Sequence, residues 1–387
     1  MKCWVRWLAC VLALPASVAG AGEPDAVIWQ GSLGAQRIIV EQTSDMAAKS
    51  DCGGRYFYER HRVDIRLEGK PGANGVCTMQ EWPPRWDDGT PKPEWRMRVP
   101  AGERWQGEWI GVGGRSLPIR LSRVTALPDA LEPSLTALRR DFDPYAYLRL
   151  STRKLQPVKR ESVNGFALRW LRQPDSDIRL FEVTSGYAPE AQRAINRTLH
   201  RQLWQWVEDQ YECRSGGAPG EAGFDMAEAT LRHIDARVVS VSLNTSYYCG
   251  GAHPDFGDSP LNIDARNGRE LRLEDVLWVG QGRPVHENES PDELDDAWMD
   301  YQRKTFAPWV VSQLQRLYPH EMTPAPDEDS CDYADPEVWD FSSWYVLPTG
   351  IHLAAYFPRV TRMCDDPEWA VLPWSVVDAH PGDVRLH

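Results

Sequence analysis

The sequence predicts an all-β N-terminal domain, a small antiparallel sandwich or barrel, followed by an α+β domain with an antiparallel sheet and two main helices. Three observations carry this reading. Between residues 25 and 124, apolar residues alternate with polar ones: Val63, Ile65 and Leu67, then Trp95, Met97 and Val99, then Leu117, Ile119 and Leu121. Period two with one buried face is the pattern of antiparallel strands. Beyond residue 150 the period changes, and Ile195, Leu199, Leu203, Trp206 and Tyr211 recur at roughly helical spacing. Strand-like segments lie on both sides of that helix, which is the α+β arrangement.

In the first domain, Gly53-Gly54, Gly69 to Gly75, Asp88-Gly89 and Gly113-Gly114 supply turns. The four prolines between Trp82 and Pro93 mark a loop or an edge excursion. Residues 125–149 read as a connector. There Leu127, Leu131, Leu135 and Leu138 suggest a short helix with Pro133 near its start, ending before Pro144. In residues 150–387, strands are expected at Phe166–Leu171, Ile178–Thr184, Ala236–Tyr248, Leu271–Leu273, Trp344–Leu347, Ile351–Tyr356 and Ala370–Val371. Pro189 sits where a first-turn proline is tolerated and opens an amphipathic helix over 190–212. A second helix is expected from about Pro291 to Leu317. Its stripe is Leu294, Trp298, Tyr301, Trp309, Val310, Leu314 and Leu317, and Pro308 kinks it. Residues 215–223 and 324–335 are polar loops.

Composition bounds the function. The 387 residues are 42% hydrophobic and 26% charged, an ordinary globular balance that excludes a disordered chain, a collagen-like repeat and a multi-span membrane protein. Acidic residues outnumber basic ones, 56 to 43, for a net charge of −13. A nucleic acid held through its phosphates wants the opposite sign, whereas a basic partner is favoured by it.

The N-terminus has the layout of a secretory signal peptide over residues 1–21. Lys2 and Arg6 precede an apolar run from Trp7 to Leu14, and small residues lead up to Ala21. The run is too short for a membrane span, and no later segment is apolar enough for one. Cys3 and Cys10 belong to that leader. Six cysteines remain, an even set that reads as disulfides in an oxidising compartment. Of the pairings they allow, the sequential one is expected, Cys52–Cys77, Cys213–Cys249 and Cys331–Cys364, because each pair then falls inside one structural unit. Zinc is disfavoured, since no C-x-x-C pair occurs.

One constellation carries a resemblance. Tyr247-Tyr248-Cys249-Gly250-Gly251-Ala252-His253-Pro254 follows a strand. Leu261 to Asp264 comes next, then an Asn267-Gly268 turn running to Leu271, then Leu273 to Leu277. Leu347 to Leu353, Tyr356 and Val371 to Trp374 close the chain, and Pro189 to Leu199 leads the long helix upstream. This order resembles the extracellular domain of the anti-sigma-V factor and the related non-catalytic domain of some peptidoglycan deacetylases, over about residues 150–385. The resemblance implies an extracytoplasmic module that binds lysozyme. This chain differs in lacking a transmembrane helix and a cytoplasmic sigma-binding segment. In the first domain, Gly54 to Tyr58, Ile65 to Gly69, Gln80-Glu81 and Gln106 to Trp109 are similar to small β modules of secreted bacterial proteins, some of which accompany periplasmic lysozyme inhibitors.

Catalytic signatures are missing or incomplete. No Gly-x-Ser-x-Gly and no His-Glu-x-x-His occurs, and Ser151 to Lys154 fits Ser-x-x-Lys without its partner motifs. Glu274-Asp275 reads as an acidic helix start favoured by the helix dipole. Asp255, Asp258 and Asp264 lack the regular spacing of a calcium loop. His253 reads first as a ring that fixes the Gly250-Gly251 turn and second as a contact residue. The expectation is therefore a periplasmic or secreted, non-enzymatic protein without metal or cofactor. Its expected partner is a lysozyme-like cell-wall hydrolase, which it inhibits or to which it confers immunity. The alternative is a peptidoglycan-binding accessory protein. Candidate contact residues are Tyr248, His253, Asp255, Trp82 and Trp86. Of Trp82, Trp86, Trp95, Trp105 and Trp109, which crowd the first domain, those in strands are expected in the core, and Trp82 and Trp86, beside prolines, at an interface.

Overall fold

An inward-facing alternation closes the N-terminal strands into a barrel. The structure, a computed structural model, describes residues 26–43, 52–72, 75–82, 91–217, 220–287, 296–324 and 330–387. The expected signal peptide and Trp86 lie outside these residues. The strands are β1 (Val27–Leu33), β2 (Gln36–Gln42), β3 (Cys52–Tyr58), β4 (Ile65–Pro71), β5 (Val76–Trp82), β6 (Glu94–Arg98), β7 (Arg104–Ile110) and β8 (Ser116–Arg123). Each pairs antiparallel with the next, and β8 returns to β1, so the first domain is one closed sheet and not a sandwich. Trp29, Tyr56, Trp95, Met97 and Trp105 fill the interior, as side chains do in small barrels. Glu81 points inward among them and accepts hydrogen bonds from Tyr56 Oη, Trp95 Nε1 and Trp109 Nε1.

Two sequence expectations change here. Gly53-Gly54 is not a turn but lies in β3, and a Cβ at Gly54 would come within 2.0 Å of the Glu41 carbonyl oxygen on β2. Gly69 likewise lies in β4. Val63 precedes its strand and Val99 follows its own, on the exposed side. The Cys52–Cys77 disulfide spans β4 to join β3 to β5.

The connector holds two helices, α1 (Pro133–Ala137) and α2 (Pro144–Leu150). Pro144 begins a helix as well as ending the preceding segment, because Asp143 caps it by accepting from the Tyr145 and Ala146 amides. Tyr145 packs against Phe57 of the barrel with ring centroids 5.0 Å apart, and Ile28, Ile39 and Leu148 complete that small core.

The second half contains three antiparallel sheets. The first is β9 (Gln156–Val163), β10 (Phe166–Arg172) and β11 (Arg179–Ser185), in the order β11-β10-β9. Helix α3 (Pro189–Ser215) buries Ile195, Leu199, Leu203 and Trp206, as their spacing predicts. In the second sheet β12 (Gly223–Ile234) pairs with β13 (Val238–Tyr248). That strand then pairs with β14 (Asp255–Asp258) near one end and β15 (Leu261–Asp264) near the other. A short α4 (Leu273–Val276) stands where Leu271–Leu273 was expected to be a strand. Asp275 reaches back to the Arg272 amide at 2.8 Å and starts a helical turn instead.

Helix α5 (Asp296–Tyr301) passes through a π-helical turn, Gln302–Phe306, into α6 (Ala307–Leu317). Pro308 lies in the first turn of α6, and the wider turn before it absorbs the missing amide. The expected beginning of this helix near Pro291 lies outside the described residues. The third sheet is β16 (Trp344–Leu347), β17 (Gly350–Leu353) and β18 (Val371–Pro373), followed by α7 (Trp374–Val377). Cys213–Cys249 and Cys331–Cys364 complete the sequential disulfide set. Three such pairs fit an oxidising environment outside the cell. Among the described residues no helix is long and apolar enough to cross a membrane.

Candidate functional site

The segment that carries the resemblance connects β13 to β14, and its neighbours decide what it can do. Gly250 has φ +86°, and a Cβ there would stand 1.7 Å from the Gly216 carbonyl oxygen, at the end of α3. The Cys213–Cys249 disulfide sits beside this close approach. Glycine is thus required by backbone crowding against α3. His253 does not fix the turn: it is exposed, and the Arg359 guanidinium meets its Nδ1. Asp255 is ion-paired to Arg362. Tyr248 ends β13 half-buried, opposite Gly223.

Arg362 organises this surface. It donates to Asp255, Asp365 and the Phe256 carbonyl, and its guanidinium lies 4.7 Å from the Phe256 ring centroid and 4.9 Å from that of Tyr356. Val360 (78% exposed) and Met363 (80%) project from the same 3-10 turn, Arg359–Cys364. An arginine held between two partly exposed aromatic rings, with aliphatic side chains beside it, has the composition of an interface centre.

A groove of about 530 Å³ lies between α3 and the second sheet. Trp206, Phe224 and Tyr247 line it, with Asp209 and Glu212 from α3. Trp206 Nε1 donates to Thr245 Oγ1 at 3.1 Å, which ties helix to sheet along the groove. A Cβ on Gly257 would meet no atom within 4 Å, so that side is open. Burial raises the Asp209 carboxyl, Gln205 partly offsets this with a hydrogen bond, and nearby Glu212 adds to the rise. Aromatic walls with two carboxylates suit a cationic, partly apolar guest such as a lysine or arginine side chain. Sequence reasoning missed Asp209 and Glu212, because on a helical wheel they look like an ordinary solvated face.

Behind β13, on the side of the third sheet, polar groups are buried together. The Arg232 guanidinium lies 4.4 Å from the Tyr345 ring centroid, and that ring stacks on His352 at 4.3 Å. His352 Nε2 lies 3.0 Å from the Pro367 carbonyl, to which it donates, leaving Nδ1 to face Asp366 Oδ1 at 3.6 Å. Asp366 adopts φ +51°, an uncommon backbone for a residue with a side chain. Burial lowers the His352 imidazole to about 4 and raises the Asp366 carboxyl.

The remaining sequence candidates are separate from these places. Trp82 ends β5 on the barrel's outer face, 37% exposed, with the Lys92 ammonium 3.0 Å from its ring centroid. Glu274 accepts from Trp298 Nε1 and Gln302 Nε2, while Asp275 pairs with Arg269, so these neighbours do not face one another as an acid–base pair would. Ser151 donates to the Leu148 carbonyl at the end of α2. Asp255, Asp258 and Asp264 each engage a different partner: Arg362, Ser242 and Arg266. Among the described residues no group of three acidic, histidine or cysteine side chains could hold a metal. In comparisons with known proteins, no family model and no curated protein matches this chain.

Proposed function

We propose that this is a periplasmic or secreted binding protein that holds a basic, lysozyme-like cell-wall hydrolase and blocks it, with no bond-making chemistry of its own. The groove beside α3 carries the reading: Asp209 and Glu212 stand among Trp206, Phe224 and Tyr247. Net charge of −13 steers a basic partner to such a face, and the aromatic and aliphatic groups hold it once there. The resemblance of residues 150–385 to lysozyme-binding extracellular domains points to the same partner class.

The test is complex formation between the mature protein and a panel of muramidases, read by calorimetry and by lysis of wall fragments. The expected result is a stoichiometric complex, reduced lysis, and affinity that falls as salt screens the charges. Asp209→Asn with Glu212→Gln should weaken binding about tenfold or more, in keeping with charge-assisted contacts. No complex with any muramidase would end this reading.

A second reading rests on a different place. Beside Trp82, the outer face of the barrel has a polar trough of about 700 Å³ lined by Arg66, Glu68, Thr78 and Gln80. A part-exposed indole beside polar side chains, with Lys92 against one face of its ring, leaves the other face for stacking on a sugar ring. It predicts co-sedimentation with purified peptidoglycan that depends little on salt and is lost in Trp82→Ala.

A further inference from the structure

The barrel is held against the rest of the chain by charges that water barely reaches. Arg149 of α2 is 0% exposed, and its Nη2 donates to both carboxylate oxygens of Asp64, at 2.7 and 2.8 Å, from the segment between β3 and β4. Its Nη1 stands 2.9 Å from Glu208 Oε1 on α3. Glu208 is 2% exposed, and neither of its oxygens receives an aligned hydrogen bond. One guanidinium therefore faces two carboxylates, and Asp64 holds the aligned contacts. The barrel side supplies more charge, since Arg55 links Asp64 to Glu41 while Tyr145 of α2 donates to Asp64 at 2.9 Å. Arg62 seals the edge by donating to the Arg149 carbonyl and to Thr152.

We infer that Glu208 is a proton-operated latch: with its proton the barrel seats on α2 and α3, and without it a second, poorly compensated carboxylate loosens that seat. The groups facing it fit this role. Arg149 attracts its ionised form, while Glu212 one turn along α3, Asp64 from the barrel and Asp143 at the start of α2 all repel it. Burial is the largest influence, and together these push the Glu208 carboxyl up to about 8, against the pull of Arg149. Because the folded value lies above the unfolded one, the stabilisation is complete below about pH 4.5 and is lost as pH rises through about 8. The loosening reaches the groove, because Glu212 lines it and also lies 3.6 Å from Arg55 of β3.

The test uses the full mature chain. Hydrogen exchange at α2 and at residues 59–64, corrected for intrinsic rate, is measured from pH 5 to pH 9 beside thermal unfolding. In the wild type, protection at the junction should fall about tenfold or more across this range, as for a proton coupled to opening. Glu208→Gln, which keeps the shape and cannot ionise, should abolish that fall. A wild type without the fall, or a variant that keeps it, overturns the latch. Should Glu208→Gln not fold, 13C NMR of glutamate-labelled wild type decides: one carboxyl titrating near pH 8 supports the latch, and none above pH 6 refutes it.

Discussion

The junction around Arg149 and the cluster around His352 both bury ionisable groups, and they tolerate them differently. At the junction the cation stays charged and is shared between Asp64 and Glu208. Behind β13 the imidazole is kept neutral by burial, is stacked on Tyr345, and donates to a backbone carbonyl. The difference teaches where charge has been retained. The junction joins the barrel to α2 and α3 through directional ion pairs, whereas the His352 cluster lies between the second and third sheets and keeps its imidazole neutral. The two places therefore have opposite pH signatures.

The largest test of that contrast is removal of the shared cation. Arg149→Ala removes the bidentate partner of Asp64, which keeps only Arg55 and Tyr145, and takes the nearest cation from buried Glu208, so it should cost about 3–5 kcal/mol, read as loss of unfolding temperature. His352→Leu loses one hydrogen bond and a ring stack and should cost about 1–3 kcal/mol. If the two losses are equal, the distinction between shared charge and avoided charge fails. The next effect is the acid limb. His352 has a folded value near 4, below its unfolded value of 6.5, so its contribution is present above pH 6.5 and is lost as pH falls toward 4. Wild type should lose stability over that window, and His352→Leu should lose less, in thermal scans at matched ionic strength. The smallest effect belongs to Asp366→Asn. Asparagine accepts the same φ of +51° and cannot ionise, so stability should change by less than about 1 kcal/mol at pH 7. A larger loss would mean that the carboxylate itself is needed beside His352.

Much of the barrel was legible because its strands have one buried and one wet face, as Trp95, Met97, Ile119 and Leu121 show. The long helix and the disulfide pairing were legible for a related reason: helical spacing and sequential cysteines are local signals. Strand β9 was not, since almost every residue in it is exposed and no apolar alternation survives. The true hairpin beside it was announced by Asn164-Gly165, both with positive φ, a pair the strand pattern failed to flag. The junction was invisible because Asp64 and Arg149 are 85 residues apart and each, alone, resembles a surface charge. The groove was hidden similarly, as its carboxylates become distinctive only when Phe224 and Tyr247 arrive from other strands.

Barrel closure has a consequence for how this molecule meets others. With β8 returned to β1, the first eight strands, among the described residues, offer no unpaired ladder of amides and carbonyls. A guest that docks by lengthening a sheet has to do so in the second half of the chain, and contacts with the first half are confined to its outer walls and its rims.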